Sequence, residues 1–227
     1  MVDQNKPEKP IAKIFCKRIL LPSMKGLLVA FLFSILLISA SIRLHAQPKY
    51  IEKSAKYEVS VFGKRIGHFT VNQKESENRI EINTLTEVEV RIVFTFKVKF
   101  VQRSIYRDGV LVSSRVQTYK NDQINSDMHL ERNGGMYTVV EDGKTRTFEG
   151  KITYSGSLLY FNEPEEITSI YMERSGESAD IESLTDNSYI LSREKGSRTN
   201  KYYYEDGILT RAVLSHPLAS IHLLLVI

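Results

Sequence analysis

The sequence predicts an all-β protein: one large, strongly curved antiparallel meander sheet, a half-barrel or open barrel, with a short helix or irregular segment near 152–161. Three observations predict it. In residues 85–107, Val88, Val90, Ile92, Phe94, Phe96, Val98 and Phe100 fall on one parity, and Glu89, Arg91, Thr95, Lys97 and Lys99 fall on the other. Side chains alternate across a strand, so the stretch reads as one long strand with an apolar and a charged face. Strands ordinarily run about 5–6 residues, so one this long must twist and curve. Next, Asp-Gly recurs at Asp108-Gly109, Asp142-Gly143 and Asp206-Gly207, with Asn133-Gly134-Gly135 as a fourth turn signal. Asp-Gly between alternating runs favours tight hairpins, because both positions tolerate left-handed backbone. Finally, no helical apolar period is sustained after residue 46.

The N-terminal segment reads as an address. A continuous apolar core spans 26–42, Lys25 precedes it, and Leu44-His45-Ala46 leads into Gln47-Pro48. A positive flank, an apolar run and a small exit residue describe a secretory signal peptide cut after Ala46. The competing reading is an uncleaved anchor, for which the run is slightly short of the about 20 residues a spanning helix needs. Met24 is an alternative start to Met1. The expected organisation is an N-terminal extension and signal peptide over 1–46 and a single all-β domain over 47–227. Residues 1–46 hold seven Lys/Arg and two acids, which leaves 24 bases and 25 acids in the remainder. The basic excess thus belongs to the leader, and the body has none with which to hold nucleic acid. The one cysteine, Cys16, precedes the apolar core. A mature chain would have no disulfide, thiolate metal ligand or thiol nucleophile.

Along the body, residues 57–62 and 68–74 alternate around Gly63-Lys64-Arg65-Ile66-Gly67, a predicted hairpin turn. Glu77-Asn78 turns the chain again, and residues 79–84 lead into the long strand. After Phe100 the parity blurs at Ile105 and Tyr106, which indicates a bulge. Further strands are expected at 110–119, 124–132, 136–140 and 144–148. Tyr154-Ser155-Gly156-Ser157-Leu158-Leu159-Tyr160-Phe161 breaks the rhythm, and Pro164, lacking an amide donor, ends the irregular stretch. Strands resume over 166–173, 180–184, 188–192, 199–204 and 208–214. Residues 220–227 form a last apolar strand, whose continuity predicts burial on both faces.

The candidate ligand-binding residues are Phe94, Phe96, Phe100, Tyr154, Tyr160, Phe161 and Glu163. The three phenylalanines mark the apolar face of the long strand, and the others cluster in the irregular stretch. A carboxylate against aromatic walls acquires a raised pKa, so Glu163 is a functional candidate; its plainer role is to pin the loop by hydrogen bonding. No catalytic residue, metal site or cofactor is expected. His68, His129, His216 and His222 lack zinc-motif spacing. Gly-x-Ser-x-Gly is absent, and Ser155-Gly156-Ser157 reads as a flexible turn. Tyr202, Tyr203 and Tyr204 split between the two faces of a strand.

The motif Tyr57-x-Val59 through Gly63-x-x-Ile66-Gly67, residues 124–132, Tyr160-Phe161-Asn162-Glu163-Pro164, Ile170-Tyr171-x-Glu173-Arg174 and Tyr202-x-Tyr204-x-x-Gly207 together resemble a family of secreted Gram-negative envelope proteins classed as a domain of unknown function. The resemblance spans most of 55–215. It implies an all-β, periplasmic or outer-membrane-associated protein. By looser analogy such sheets are similar to the half-barrel that lipoprotein carriers use for acyl chains.

The expectation is therefore a non-enzymatic envelope protein whose concave face covers the irregular segment and shares that space with an apolar or acyl-chain ligand. The partners expected are a lipid or acyl ligand and an envelope protein, with no nucleic acid, and membrane contact only through an uncleaved signal segment. Three rivals stay open: a membrane-embedded barrel, an enzyme using Glu163, and a structural or partner-binding module presenting a sheet edge. A filled interior favours the module over the carrier.

Overall fold

The computed structural model describes residues 49–91, 95–192 and 199–226. The chain divides into units Met1–Gln47 and Pro48–Ile227. The described residues belong to the second, so the signal-peptide reading and Phe94 lie outside them.

Fourteen strands are described: β1 (Ile51–Val61), β2 (Lys64–Ser76), β3 (Arg79–Arg91), β4 (Thr95–Arg107), β5 (Val110–Lys120), β6 (Gln123–Asn133), β7 (Met136–Glu141), β8 (Lys144–Glu149), β9 (Ser169–Met172), β10 (Glu177–Thr185), β11 (Ser188–Ser192), β12 (Thr199–Glu205), β13 (Ile208–Leu214) and β14 (Ile221–Leu225). They form one open antiparallel sheet in the order β8-β7-β6-β5-β4-β3-β2-β1-β14-β13-β12-β11-β10-β9. The first and last strands therefore meet in the middle, with Tyr57 opposite Leu225 and Val59 opposite Leu223. The Tyr57 hydroxyl reaches past β14 to donate to the Leu209 carbonyl at 2.8 Å. The predicted Asp-Gly hairpins are present, with positive φ at Asp108, Asp142 and Asp206 and at the glycine after each.

The long strand is a correction. Residues 85–107 are two strands, β3 and β4, that reverse between Arg91 and Thr95. Val90 pairs with Phe96 and Val88 with Val98. Residues opposite one another in an antiparallel pair share a face. A three-residue connection therefore returns the chain with its parity intact, and Ile92-Val93-Phe94 carries no Gly, Pro, Asn or Asp to mark the reversal. The predicted bulge is real: the β4–β5 register shifts between Ile105 and Tyr106.

The first hairpin is also tighter than predicted. Phe62 and Gly63 alone make its turn, at φ 50° and 72°, and Gly67 lies inside β2. A Cβ on Gly67 would stand 2.0 Å from the Glu87 carbonyl oxygen, so this position needs glycine for the close approach of β3. The last strand is corrected as well. Leu223 is buried but Leu224 is 54% exposed, because β14 lies between β1 and β13 with its outer face in solvent.

One face of the sheet carries the core: Tyr57, Phe69, Val71, Ile82, Tyr106, Leu111, Leu130, Tyr137, Ile181 and Leu209 are buried on it. The other face carries ion pairs. Glu81 accepts from Arg103 at 2.8 Å and Arg79 at 2.9 Å, and chiefly the Arg103 contact lowers its pKa to about 2. Apolar-in and charged-out is the reverse of a lipid-facing barrel.

The Gly67 contact gives the first expected outcome. Gly67→Ala must push β3 away from β2, and overpacking of this kind costs about 1–3 kcal/mol. Urea unfolding followed by circular dichroism should show a lower midpoint with unchanged slope; an unchanged midpoint would contradict the close approach.

Candidate functional site

The connection from β8 to β9 is the longest within the described sheet, and it runs against the buried face. Its entry is fixed by backbone. The Leu111 amide donates to the Ile152 carbonyl at 2.9 Å, and the Ile152 amide donates to the Tyr137 hydroxyl at 3.0 Å. Ser155 then forms a parallel bridge with Tyr171 of β9; Tyr171 donates to the Tyr154 carbonyl at 3.2 Å and Gly156 to the Tyr171 carbonyl at 2.9 Å. A single 3-10 turn follows at Leu158–Tyr160. Leu158, Leu159 and Phe161 are buried. The Tyr160 ring packs on Phe69 at 4.8 Å and on Tyr57 at 6.1 Å between centroids, and offset aromatic pairs at such separations add to the burial itself. The predicted irregular segment thus fills the inner face.

At its base lies a carboxylate that the sequence reading passed over. Glu173, just after β9, is 4% exposed. Its Oε1 accepts from the Ser157 amide at 3.2 Å, from Ser104 Oγ at 3.3 Å and from Ser155 Oγ. Around it, Ser155 meets the Tyr106 hydroxyl at 2.5 Å and Ser157 Oγ at 3.0 Å. Ser104 meets Ser114 at 3.1 Å and accepts from Gln102 at 3.0 Å. Burial pushes the Glu173 carboxyl above the usual carboxylate range, and the Ser155 and Ser157 donors oppose it. A buried ionisable group is tolerated where its hydrogen-bonding capacity is met. This network joins β4, β5, the 155–157 segment and the end of β9. The flexible-turn reading of Ser155-Gly156-Ser157 is corrected: Ser155 and Ser157 are buried, and Gly156 lets the chain pass Glu173, whose Oε2 would lie 3.1 Å from an added Cβ. Glu173 was missed because its partners are remote in sequence; the one local signal was a serine pair spaced to face a single acceptor.

The other candidates fall in three places. Tyr160 and Phe161 belong to the filling, while Tyr154 turns its hydroxyl to the Asn162 carbonyl within the same loop. Glu163 accepts from the Tyr189 hydroxyl at 3.0 Å, which ties the loop to β11; burial, with this bond second, pushes Tyr189 up to about 12. Phe96 and Phe100 are half-buried on β4. Lys120 Nζ lies 4.8 Å from the Phe96 ring centre and the Arg174 guanidinium 5.7 Å from that of Phe100. Two shallow clefts open elsewhere, one of about 530 Å³ beside Asp186, Tyr203 and Arg211 and one of about 350 Å³ beside Arg115, Asp127 and His129. Neither is lined by a candidate residue. Among the described residues no three His, Cys, Asp or Glu side chains gather as a metal site would require.

A model of a domain of unknown function, DUF6134, matches residues 57–226. The chain belongs to that family. The DUF6134 match covers every strand of the sheet except the start of β1. No curated protein matches the chain. Among solved structures, the domain is similar to a beta-barrel-like protein of the domain of unknown function DUF1849 from Brucella abortus. The TM-score is 0.56 at 10% identity, over 79% of this chain and 98% of that one. At that identity the likeness is one of fold.

The network makes a pH-dependent prediction. A carboxyl whose folded pKa lies above its unfolded value favours the fold most when protonated, and that contribution fades as pH rises from the ordinary carboxylate range through the raised value. Glu173→Gln cannot titrate. The stability of the unsubstituted protein relative to Glu173→Gln should therefore fall from acid to neutral pH, read from urea midpoints across that range. Glu173→Ala strands several buried donors and should cost about 3 kcal/mol.

Proposed function

We propose that this chain is a non-enzymatic secreted protein of the cell envelope whose sheet encloses its own polypeptide, acting as a structural or partner-binding module. The observation that carries this reading is the seating of Leu158, Leu159, Tyr160 and Phe161 against Tyr57 and Phe69, where a carrier would hold its ligand. Two carboxylates, Glu163 in the inner segment and Glu173 just after β9, support it. Glu173 receives three of the chain's own donors on Oε1, and Glu163 pins a loop. An enclosed, protein-satisfied carboxyl suits anchoring better than proton transfer to a substrate, which requires reach to the reacting atom. Secretion, with a periplasmic or outer-membrane-associated location, rests on the apolar core over 26–42 and its exit at Ala46.

A second reading keeps a specific observation of its own. Val88, Val90, Phe96, Val98 and Phe100 line one face of the β3–β4 hairpin and are only half-buried, with Val98 36% exposed. An acyl chain, if carried, would lie there rather than deep in the sheet.

Titration of the delipidated protein with a fluorescent fatty-acyl probe separates the two. The module reading expects no saturable binding by the unsubstituted protein and new binding by Tyr160→Ala, because truncating a filled apolar interior leaves a dry cavity that takes apolar guests. Saturable binding abolished by Phe96→Ser with Phe100→Ser would replace the module with the carrier.

A further inference from the structure

The three most exposed large apolar side chains among the described residues all lie at one end of the sheet. They are Phe62 at 81%, Leu218 at 73% and Ile124 at 61%. Register places them side by side. Val61 pairs with Ile221, so the Phe62 turn neighbours the β13–β14 connection that holds Leu218. Strands β3 and β4 come next, since Gly67 pairs with Val88, and the β5–β6 turn before Ile124 follows, since Val98 pairs with Lys120. Neighbouring strands lie about 4.8 Å apart, so successive hairpin tips stand about 10 Å apart and the row spans about 30 Å.

Exposed cations stand immediately behind the tips: Lys64 and Arg65 after Phe62, Lys97 and Lys99 on β4, and Lys120 at the end of β5. Arg65 also meets Glu58 at 3.7 Å and Lys99 meets Glu87 at 3.9 Å; Glu89 and Asp122 are the other acids in this region. The opposite end differs in charge. Its two-residue turns carry Glu77, Asp108, Asp186 and Asp206, all exposed, with Ile51, Met136, Leu184 and Ile208 as exposed apolar side chains beside them. The acidic turns set that end against an anionic surface, and the cations behind Phe62 and Ile124 favour one.

We propose that the row of tips from Leu218 through Phe62 to Ile124 docks onto an anionic lipid bilayer. The apolar tips enter the interface and the cations behind them meet headgroup charge. This rests on the envelope reading, which puts the chain beside a membrane, and it names the partner. The spacing favours a bilayer over a folded protein. By that spacing Phe62 stands about 10 Å from Leu218 and about 20 Å from Ile124, too far apart for one compact pocket, whereas fluid hydrocarbon receives each separately, and aromatic and basic residues are the usual anchors at that depth.

The chain contains no tryptophan, so an introduced one is a unique reporter. Phe62→Trp, Leu218→Trp and, at the other end, Ile51→Trp are placed singly in the full chain. Each is mixed with vesicles of phosphatidylcholine alone or with an equal part of phosphatidylglycerol. Phe62→Trp and Leu218→Trp should shift to shorter emission wavelength and be quenched by brominated acyl chains, more with phosphatidylglycerol. Adding Lys64→Glu and Lys97→Glu should remove that preference, and Ile51→Trp should not respond. No shift at Phe62→Trp, an equal shift at Ile51→Trp, or a shift that follows protein concentration without vesicles would overturn the proposal. The last result would assign the row to self-association. Crosslinking to an envelope protein despite silent reporters would spare the module reading and remove only the lipid surface.

Discussion

Pairing of β1 with β14 is the constraint from which the architecture follows. Once the first and last strands occupy the middle of the sheet, its two edges must be strands consecutive in sequence, and these are β8 and β9. Their connection has to travel from one edge of a curved sheet to the other. The economical route lies across the inner face, where apolar side chains need cover. Leu158, Leu159 and Phe161 supply that cover. Backbone that crosses an interior brings polar groups with it, and these must find partners. The parallel bridge to β9 and the Ser155–Ser157–Glu173 network are those partners.

The two edges also reach each other directly. Arg146 on β8 donates to the Gly176 carbonyl at 2.5 Å beyond β9, and the Phe148 and Tyr171 rings lie 6.2 Å apart. Side chains thus span a seam that no ladder closes. β8 is an exposed edge, and Lys144, Arg146 and Glu149 along it are the charged residues that discourage pairing with another chain.

Much of this fold is legible in the sequence because strand parity and Asp-Gly turns are local signals. The hairpins at Asp108, Asp142 and Asp206 follow from two residues each, and the filling role of the irregular segment follows from its broken rhythm and Pro164. Tyr202 and Tyr204 are buried while Tyr203 lies outside under Arg211, as alternation dictates. What escaped was non-local or symmetric. The β3–β4 reversal is silent because an odd connection preserves parity and its residues are as apolar as the strands. The Glu173 network is silent because a buried carboxylate is defined by neighbours far away in sequence. Gly67 looks like a turn glycine until a neighbouring carbonyl is placed against it. The membership of one family and the likeness to a barrel-like fold add an architecture to these residues; the chemistry comes from the residues themselves.

The central position of β14 has a consequence for how the sheet is assembled. The two arms, β1–β8 and β9–β13, consist of neighbouring hairpins and need only local pairings, which form early and fast. The strand that joins them follows both arms in the chain, and it must enter a slot with one wall on each arm. Until it does, β1 and β13 present bare ladders to each other and to any other chain. The protein is therefore most open to domain exchange just before β14 docks, and a chain lacking β14 would lose its central joint while keeping nearly all its strands.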